Sequence, residues 1–283
     1  MNILFYFVIK LLSFLPFSVL KVIGFGIGFL FRLSGYRHSV ILKNLTLSFP
    51  QKSADEISRL TKQYYAYLGR LVAESIKLFH ISKQNIQERI SFTNDHLIKA
   101  FLKENKDVVV VLGHYGNWEL ALLASSLNFD AEMIGIYKPL SSSFWNKKLF
   151  DVRSQYGAKL LSMKKSLRYL LKNKNRGNLI GIIADQTPSA DEINHSITFL
   201  NQKTAVFLGT EKLANKLQCP VFYASVSPKT FGYYNIKFEL ISKFPNNDKD
   251  GELTSLHCKK LENQINTNPP YWLWSHRRWK HLR

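Results

Sequence analysis

The chain has 283 residues, of which 46% are hydrophobic, and its 39 lysines and arginines against 20 acidic residues give a formal charge of +19. This composition excludes a collagen-like, repetitive or disordered protein and allows a substantial buried core. The charge points to an anionic partner: nucleic acid, an acidic protein or an anionic membrane. No acidic residue precedes Asp55 and none follows Glu262, so both ends of the chain are basic.

No linker rich in proline, glycine or serine divides the sequence, which predicts one domain with an N-terminal appendage. We place the boundary between an N-terminal helical segment, residues 1–34, and a main domain, residues 35–283. The two cysteines, Cys219 and Cys258, form no CxxC pair. Their spacing favours a reducing compartment and two buried, inert thiols.

The N-terminal segment is apolar and too long for a cleaved signal peptide. From Leu11 to Phe31 it has enough residues to cross a bilayer, which takes about 20. Lys21 would then lie near the centre of the span, at a cost of about 2.5 to 3.5 kcal/mol on insertion scales. If the segment does span, the cations that follow it place the rest of the chain in the cytoplasm. These cations are Arg32, Arg37 and Lys43.

The same segment can instead lie in the membrane interface. Lys10, Lys21 and Arg32 are eleven residues apart, and eleven steps of about 100° nearly complete whole turns of a helix. On one continuous helix these cations would share a stripe facing lipid headgroups, with Pro16 kinking the helix. A buried core helix is the alternative, but it would leave little polar surface. Either membrane arrangement brings the main domain, residues 35–283, to the inner leaflet.

The rest of the chain alternates predicted helices and strands. Ser53 and Glu56 form a capping box that opens a long helix toward His80. Four apolar runs have strand length, at residues 108–112, 133–137, 179–184 and 221–226. Helical periodicity separates them at 118–126, 144–156 and 166–175, and residues 234–244 alternate like an antiparallel or edge strand. The pattern predicts an α/β fold with a mostly parallel or mixed central sheet flanked by helices.

Residues 113–120, GHYGNWEL, follow the first predicted strand. Ligands of α/β proteins collect where a strand ends and the next helix begins, which is where His114 falls. Asn117 is a good N-cap, and Glu119 then lies in the first helical turn. A carboxylate turned toward the imidazole would fix its tautomer and leave the other nitrogen as a general base acting on a substrate hydroxyl. An equally supported alternative is purely structural: His114 caps the end of the strand, and Glu119 is an acidic residue of the kind commonly found in the first turn of a helix.

Other chemistries lack their motifs. The sequence has no HExxH and no other histidine pair with the spacing for zinc, so no metal is expected. It has no GxSxG nucleophile elbow. The glycines of GFGIG, residues 24–28, lack the preceding strand of a dinucleotide site and predict close helix packing instead.

GHYGNWEL resembles the His-x4-Asp/Glu signature of glycerolipid-type acyltransferases, in the glutamate form of the bacterial lipid A late acyltransferases (lauroyl and myristoyl transferases). Six further blocks resemble blocks of that family and follow its order. They are YRHSVILKNLTLSFP (36–50), IYKPL (136–140), RSQYGAKL (153–160), IADQTP (183–188), GTEKLA (209–214) and PPYWLWSHRRWK (269–280). The resemblance covers nearly the whole chain. Two departures, Asn201 for a usual glycine and Asn266 for a frequent arginine, bear on the acceptor more than on the reaction.

The resemblance implies a glycerolipid-acyltransferase-like fold that needs no cofactor. It also implies transfer of a fatty acyl chain from an acyl carrier protein thioester to a hydroxyl of a lipid A precursor, at the cytoplasmic face of the bacterial inner membrane. By position, His114 matches the base, Glu119 its partner, and Arg153 an arginine near the site suited to an oxyanion or a substrate anion. The remaining expected substrate contacts are Asn117, Lys138, Asp185 and Gln186. A turn-forming role for Asp185 is nearly as well supported.

Two basic patches complete the prediction. The helix at 164–176 carries six cations, with Leu167, Leu170 and Leu171 expected to face inward, and Lys164, Lys165 and Arg168 suit an acidic carrier protein or lipid phosphates. A merely solvated helix face is the alternative. Near the C-terminus, Arg277 and Arg278 stand among tryptophans, a mixture typical of a membrane interface. Aromatic and basic residues also stack nucleic-acid bases, but no nucleic-acid motif accompanies them.

Two other functions remain open at this point. The chain can acylate a different lysolipid or an aminolipid, or it can be a noncatalytic lipid-binding membrane protein with the same fold. The acyl chain length and the oligomeric state are not encoded in any recognisable motif.

Overall fold

The computed structural model describes residues 2–189, 193, 195–245 and 249–281. Its helices are α1 (Asn2–Ser13), α2 (Phe17–Leu33), α3 (His38–Ser48), α4 (Ala54–Lys77), α5 (Lys83–Arg89), α6 (Asp95–Lys103), α7 (Trp118–Asn128), α8 (Ser143–Ser154), α9 (Met163–Lys172), α10 (Gly209–Leu217) and α11 (Glu252–Thr267). Its strands are β1 (Ile90–Thr93), β2 (Val108–Leu112), β3 (Met133–Tyr137), β4 (Lys159–Ser162), β5 (Leu179–Ile183), β6 (His195–Phe199), β7 (Gln202–Val206), β8 (Val221–Thr230) and β9 (Tyr233–Ser242).

Seven strands form one sheet in the order β1-β9-β8-β2-β5-β3-β4. All neighbouring strands in it run parallel except β8 and β9, which are antiparallel. The predicted α/β fold with a mostly parallel, mixed sheet is therefore confirmed. β9 is antiparallel as expected, but it is not an edge strand because β1 pairs with its other side. β6 and β7 form a separate antiparallel pair.

The sheet is apolar on both faces because helices cover both. Val109 and Val111 pack in one buried cluster with Leu261 of α11, whereas Val110 packs in a second cluster with Leu120 of α7. Each fully buried valine or leucine contributes roughly 1.5–3 kcal/mol of transfer free energy. Burial on both sides explains why the strands read as continuous apolar runs instead of alternating ones.

The long helix α4 begins at the predicted capping box. The Ser53 side chain accepts a hydrogen bond from the Glu56 amide, and the Glu56 carboxylate accepts one from the Ser53 amide at 2.9 Å. The α-helix ends at Lys77, and a 3₁₀ turn continues the chain to His80. These contacts confirm both the capping box and the extent of the predicted helix.

The N-terminal apolar segment is broken where Pro16 was expected to kink it. α1 ends at Ser13 and α2 begins at Phe17, and the buried Lys77 ammonium donates to the carbonyls of Ser13 and Leu15 at 2.9 and 3.0 Å. Pro16 lacks an amide hydrogen, so the helix cannot continue through it at no cost. The carbonyl groups at the break therefore have a hydrogen-bond donor, and the buried Lys77 ammonium has acceptors.

The break makes one prediction wrong. Lys10 lies on α1, while Lys21 and Arg32 lie on α2, so the three cations do not share a stripe on one continuous helix. The Lys10 ammonium instead donates to the carbonyl of Phe79 at 3.0 Å. Lys21 and Arg32 are exposed.

Two of the three glycines of α2 serve the predicted close packing, whereas nothing lies within 4 Å of a Cβ placed at Gly26. Gly24 and Gly28 are buried against Gly69 of α4. A Cβ placed at Gly69 would lie 2.2 Å from the Gly24 carbonyl oxygen, and one at Gly28 would lie 2.6 Å from the Tyr65 carbonyl oxygen. The two backbones therefore approach at a distance that only glycine permits.

The outer faces of α1 and α2 expose many large apolar side chains. They are Ile3, Leu4, Phe5, Phe7, Val8, Leu11, Val19, Val22, Phe25, Phe29, Leu30 and Leu33, and Phe14 in the break between the two helices is exposed as well. Among the described residues, no single helix has both the length and the hydropathy to cross a membrane, although α2 and α3 meet those criteria as a pair bent by 90°. The membrane-associated helix stays a prediction.

Candidate active site

The loop after β2 is fixed from two sides. The Tyr67 hydroxyl of α4 donates to the Gly116 carbonyl at 2.7 Å, and the Gly116 amide donates to the Tyr271 carbonyl at 3.0 Å. Gly116 has a φ of +66°, and a Cβ there would lie 2.4 Å from the Val226 carbonyl oxygen. Only glycine fits this position, and the loop holds His114 at the carboxyl end of β2.

His114 is paired with Asp185, which follows the neighbouring parallel strand β5. The His114 Nδ1 lies 2.6 Å from Asp185 Oδ1, and the His114 amide donates to Asp185 Oδ2 at 2.9 Å. The Trp272 indole N–H also donates to Oδ2, at 2.7 Å. A carboxylate bound in this way fixes the ring orientation and favours the tautomer with its proton on Nδ1.

These contacts change the acidity of Asp185. Burial alone would raise the pKa of this carboxyl, but the charge and hydrogen bonds of His114, together with the hydrogen bond from Trp272, lower the pKa to about 2. Asp185 is therefore an anion throughout the physiological range.

The other ring nitrogen of His114 faces the cavity described below. Its Nε2 lies 3.2 Å from the Gln186 amide nitrogen, which can donate to it, and the ring packs edge-on against Trp118 at 4.8 Å between centroids. With Nδ1–H directed at Asp185, Nε2 carries a lone pair, as a general base requires. Both Asp185 and Gln186 thus lie beside His114, but Asp185 is turned to the imidazole and not into the cavity.

Glu119 is not the partner that the sequence predicted for His114. It lies in the first turn of α7, as expected, but its two oxygens accept from Nε and Nη2 of Arg153 at 2.7 and 2.5 Å. Burial alone would lower the pKa of Arg153, yet the hydrogen bonds and charge of Glu119 raise it. The glutamate therefore organises Arg153 of α8, while Asp185 occupies the place beside the histidine.

Asn117 is the N-cap of α7, which confirms that part of its prediction. Its side-chain oxygen accepts from the Leu120 amide at 2.9 Å, and its amide donates to Glu74 Oε2 at 3.0 Å. The residue is fully buried. The predicted contact between Asn117 and substrate is therefore wrong, because both ends of its side chain are engaged inside the protein.

A cavity of about 1190 Å³ opens beside His114. Its lining includes Glu119, Arg153, Gln186 and Lys138, four of the residues that the sequence singled out. The volume slightly exceeds the range of about 300–1,000 Å³ common for small-molecule sites, so a long substrate fits it.

One branch of the cavity runs between α7 and the sheet. Its floor is made of small or slender side chains on adjacent strands, and Ala121, Leu122 and Ser125 of α7 form its roof. The floor residues are Val110, Gly135, Gly181 and Ala224. Gly135 and Gly181 are register partners of β3 and β5. An apolar channel of this kind suits a hydrocarbon chain.

The C-terminal segment supports the site from inside the protein. Trp272 and Trp274 are 2% and 0% exposed, and the His276 Nε2 accepts from the Thr187 amide at 3.3 Å. Burial lowers the pKa of His276 to about 4, so it is neutral and able to accept. These tryptophans therefore build the core, and their predicted place at a membrane interface is wrong.

The two arginines of that segment differ. Arg278 is 3% exposed and borders the same small interior cavity as Asp185, so its predicted contact with a membrane or carrier protein is wrong. Burial lowers the pKa of its guanidinium, an effect that the charge of Asp185 opposes. Arg277 is exposed, and its predicted contact stays a prediction.

On α9 the cations lie as predicted, but two leucines do not. Lys164, Lys165 and Arg168 are exposed. Leu170 is buried, whereas Leu167 and Leu171 are 43% and 45% exposed, so the expectation that all three leucines face inward is wrong. α9 rests on the sheet through a narrower stripe than its sequence suggested.

The cysteines are both free and buried, as predicted. Burial raises the pKa of each thiol to about 12, which keeps both protonated and inert. Within the ranges that the structure describes, no group of three or more histidines, cysteines or carboxylates could hold a metal ion.

Comparison with known proteins gives a consistent result. A family model described as bacterial lipid A biosynthesis acyltransferase matches residues 1–281. The chain is 23% identical over 270 residues to a lipid A biosynthesis palmitoleoyltransferase of Escherichia coli K12 and to a lipid A biosynthesis acyltransferase of Shigella flexneri. It is also 23% identical over 275 residues to a lipid A biosynthesis acyltransferase of Haemophilus influenzae. Each alignment covers 94% of this chain and 86% of the relative.

Proposed function

Because the chain belongs to the bacterial lipid A biosynthesis acyltransferase family, we propose that it transfers a fatty acyl chain from an acyl carrier protein thioester to a hydroxyl of a lipid A precursor. The observation that carries this proposal is the His114 imidazole, oriented by Asp185 and open through Nε2 to a cavity with an apolar branch. Such a cavity accommodates the acyl chain beside the base.

In the proposed reaction, Nε2 of His114 removes the proton of the acceptor hydroxyl as its oxygen attacks the thioester carbonyl carbon. The C–O bond forms, the carbonyl oxygen becomes negative, and collapse of this intermediate breaks the C–S bond. The imidazolium then returns the proton to the departing thiolate. Asp185 stabilises the imidazolium, and general-base assistance of this kind is worth about 10²- to 10⁴-fold in rate.

Arg153 and Glu119 act together in the proposal. The guanidinium has five N–H donors and uses two of them on Glu119, so three remain for an anionic oxygen of the substrate. Both residues line the cavity with His114. We assign Arg153 to the carbonyl oxygen or to a substrate anion, and Glu119 to holding Arg153 in place.

The exposed faces of α1 and α2 support a membrane location. α1 packs on α8, with Phe5 and Trp145 rings 5.7 Å apart and Tyr6 and Phe144 rings 5.9 Å apart. α8 carries Arg153, so the apolar N-terminal surface lies next to the helix that borders the cavity. We place this surface in the inner membrane, with the site at its cytoplasmic face.

Membrane binding can be measured by flotation with vesicles of bacterial phospholipids. The double variant Phe25→Glu/Phe29→Glu adds two charges to the exposed face of α2 and is expected to leave the vesicle fraction. Leu97→Glu, at an exposed position of α6, is the matched control and should float like the wild type. Equal flotation of all three proteins would remove the proposed membrane surface.

Donor and acceptor can be tested with purified protein and mass spectrometry. Acyl carrier protein and coenzyme A thioesters of the same fatty acid are offered separately with a lipid A precursor, a lysophospholipid or an aminolipid. The proposal predicts one added acyl ester on the lipid A precursor and a preference for the carrier protein thioester. Acylation of another lipid alone would instead support the alternative acceptor.

A further inference from the structure

A second branch of the cavity lies on the opposite face of the sheet, between α9 and α10. Six described residues of α10 line the cavity. Four of these six are spaced by three and four residues, which places the four on one face of the helix. They are Gly209, Lys212, Leu213 and Lys216. From α9, Met163, Lys164 and Leu167 line the same branch. The two helices therefore form the walls of a groove that opens toward His114.

The groove is strongly cationic. Lys164, Lys212 and Lys216 contribute three ammonium groups, and none of them forms an ion pair with another described residue. The acidic side chain in the described lining of the cavity is Glu119, which Arg153 already neutralises. Uncompensated charge on facing walls raises the local concentration of an anion.

The start of α10 adds polar groups to the same place. Thr210 lines the cavity and is 2% exposed, and its hydroxyl finds no hydrogen-bond partner within the described part of the chain. Glu211, the acid of the first turn, does not oppose an anion there. Its carboxylate is buried and accepts from the Gly251 and Thr254 amides at 2.6 and 3.0 Å, at the beginning of α11.

We infer that the groove between α9 and α10 is a subsite for a phosphate ester of the substrate, bound by Lys164 and Lys212 with the N-terminus of α10, while Lys216, in the last turn of α10, adds positive charge to the same groove. Lysine ammonium groups and helix N-termini both favour phosphate. A phosphomonoester carries up to two negative charges. It therefore matches three lysines better than a carboxylate ligand, which carries one. This inference rests on the proposed function and adds to it a recognition element for the head group.

Two sources can supply the phosphate: the acceptor lipid or the phosphopantetheine arm of the carrier protein. In either case, binding in the groove places the rest of the molecule along the path to His114. The apolar branch beneath α7 is then left for the acyl chain. The two branches lie on opposite faces of the sheet and meet at the base.

The test uses Lys212→Gln/Lys216→Gln, with Lys172→Gln as matched control because Lys172 is an exposed cation of α9 outside the cavity lining. Binding of the phosphorylated lipid A precursor to each protein is measured by calorimetry in detergent, without donor. KM values are then measured with phosphorylated and dephosphorylated precursor, and with acyl carrier protein against an acyl pantetheine that lacks phosphate.

If the acceptor supplies the phosphate, the double variant binds the phosphorylated precursor roughly tenfold or more weakly, and dephosphorylation removes the difference from wild type. If the carrier arm supplies it, the KM for the carrier protein thioester rises instead, and the phosphate-free pantetheine removes the difference. Unchanged affinity and KM values for every ligand would overturn the inference. Wild-type protein that binds the precursor but transfers nothing would count against the proposed function and not against the subsite.

Discussion

At the scale of single residues, the site depends on which carboxylate serves the imidazole. Asp185 lies 2.6 Å from His114 Nδ1, whereas Glu119 is held by two bonds to Arg153. A histidine that acts as a base becomes positively charged during the reaction, so its anionic neighbour affects the rate more than a carboxylate already neutralised by an arginine.

The two carboxylates are therefore expected to differ in kinetics. Asp185→Asn should lower kcat by about 10²- to 10⁴-fold with little change in KM, since the imidazolium loses its counter-ion. Glu119→Gln should lower kcat less and raise KM, because it loosens Arg153 and leaves the His114–Asp185 pair intact. Steady-state kinetics on both variants checks this. A near-normal kcat for Asp185→Asn beside an inactive Glu119→Gln would return the role to Glu119.

The lowered pKa of Asp185 also predicts how the stability of the fold depends on pH. Its native pKa of about 2 is lower than the ordinary value of 3.8. The stabilisation from this shift is therefore complete above pH 4 and is lost as the pH falls toward 2. Thermal unfolding in detergent between pH 5 and pH 2.5 should show a steeper fall of Tm for the wild type than for Asp185→Asn. Parallel curves would contradict the assigned shift.

Gly135 of β3 and Gly181 of β5 line the floor of the apolar branch. We therefore expect the size of the side chain at these positions to control which acyl chain length fits. A Cβ at Gly181 would lie 2.9 Å from the flexible end of Met133, so a side chain fits there after a small shift and occupies the apolar branch. Gly181→Val is expected to favour a shorter acyl chain than wild type. The measurement is competition among carrier protein thioesters of increasing length, analysed by mass spectrometry. An unchanged length preference would remove the apolar branch as the acyl site.

At the scale of elements, the crossing of α2 and α4 fixes the N-terminal helices on the domain. Gly69→Ala would place a Cβ 2.2 Å from the Gly24 carbonyl and should force the helices apart. Gly26→Ala is the control, since nothing lies within 4 Å of its Cβ and alanine has the higher helix propensity by about 1 kcal/mol. We expect a lower Tm for Gly69→Ala and an equal or higher one for Gly26→Ala. The reverse order would exclude close packing at this crossing.

The sequence predicted elements better than contacts. The continuous apolar runs identified β2, β3, β5 and β8, because burial on both faces leaves a signal within five or six residues. The partner of His114 is 71 residues away. It could be inferred only from the neighbouring order of β2 and β5, which no local pattern encodes. Since parallel strands end at one edge of the sheet, the acid after LIGII was the available clue.

The second group of wrong predictions concerned which side chains are exposed, and here too no local sequence pattern encodes the answer. The segment YWLWSHRRWK has the composition of a membrane interface, yet Trp272, Trp274 and Arg278 are buried behind the site. The aromatic and basic residues of a short segment look alike in sequence whether they face lipid or a buried carboxylate. Trp272 donates a hydrogen bond to Asp185, and Arg278 borders the small cavity that Asp185 also lines, so both side chains face the interior.

At the scale of the whole molecule, the acyltransferase combines an apolar N-terminal surface, a two-branched cavity and a basic exterior. α1 and α2 rest on α4, and α4 in turn holds the Gly116 loop through Tyr67 and the cap of α7 through Glu74. The apolar N-terminal surface, the loop that holds His114 and the first turn of α7 are thereby connected through one long helix. The net charge of +19 suits both anionic lipid and an acidic carrier protein.

The central claim is that the His114 imidazole acts as the general base of acyl transfer. Its most direct test is the rate of product formation by His114→Ala with carrier protein thioester and lipid A precursor, measured by mass spectrometry. His96→Ala, at an exposed histidine of α6, controls for the substitution itself. We predict product from the wild type and His96→Ala at equal rates and none above the uncatalysed level from His114→Ala. A His114→Ala rate within a few-fold of wild type would contradict the claim.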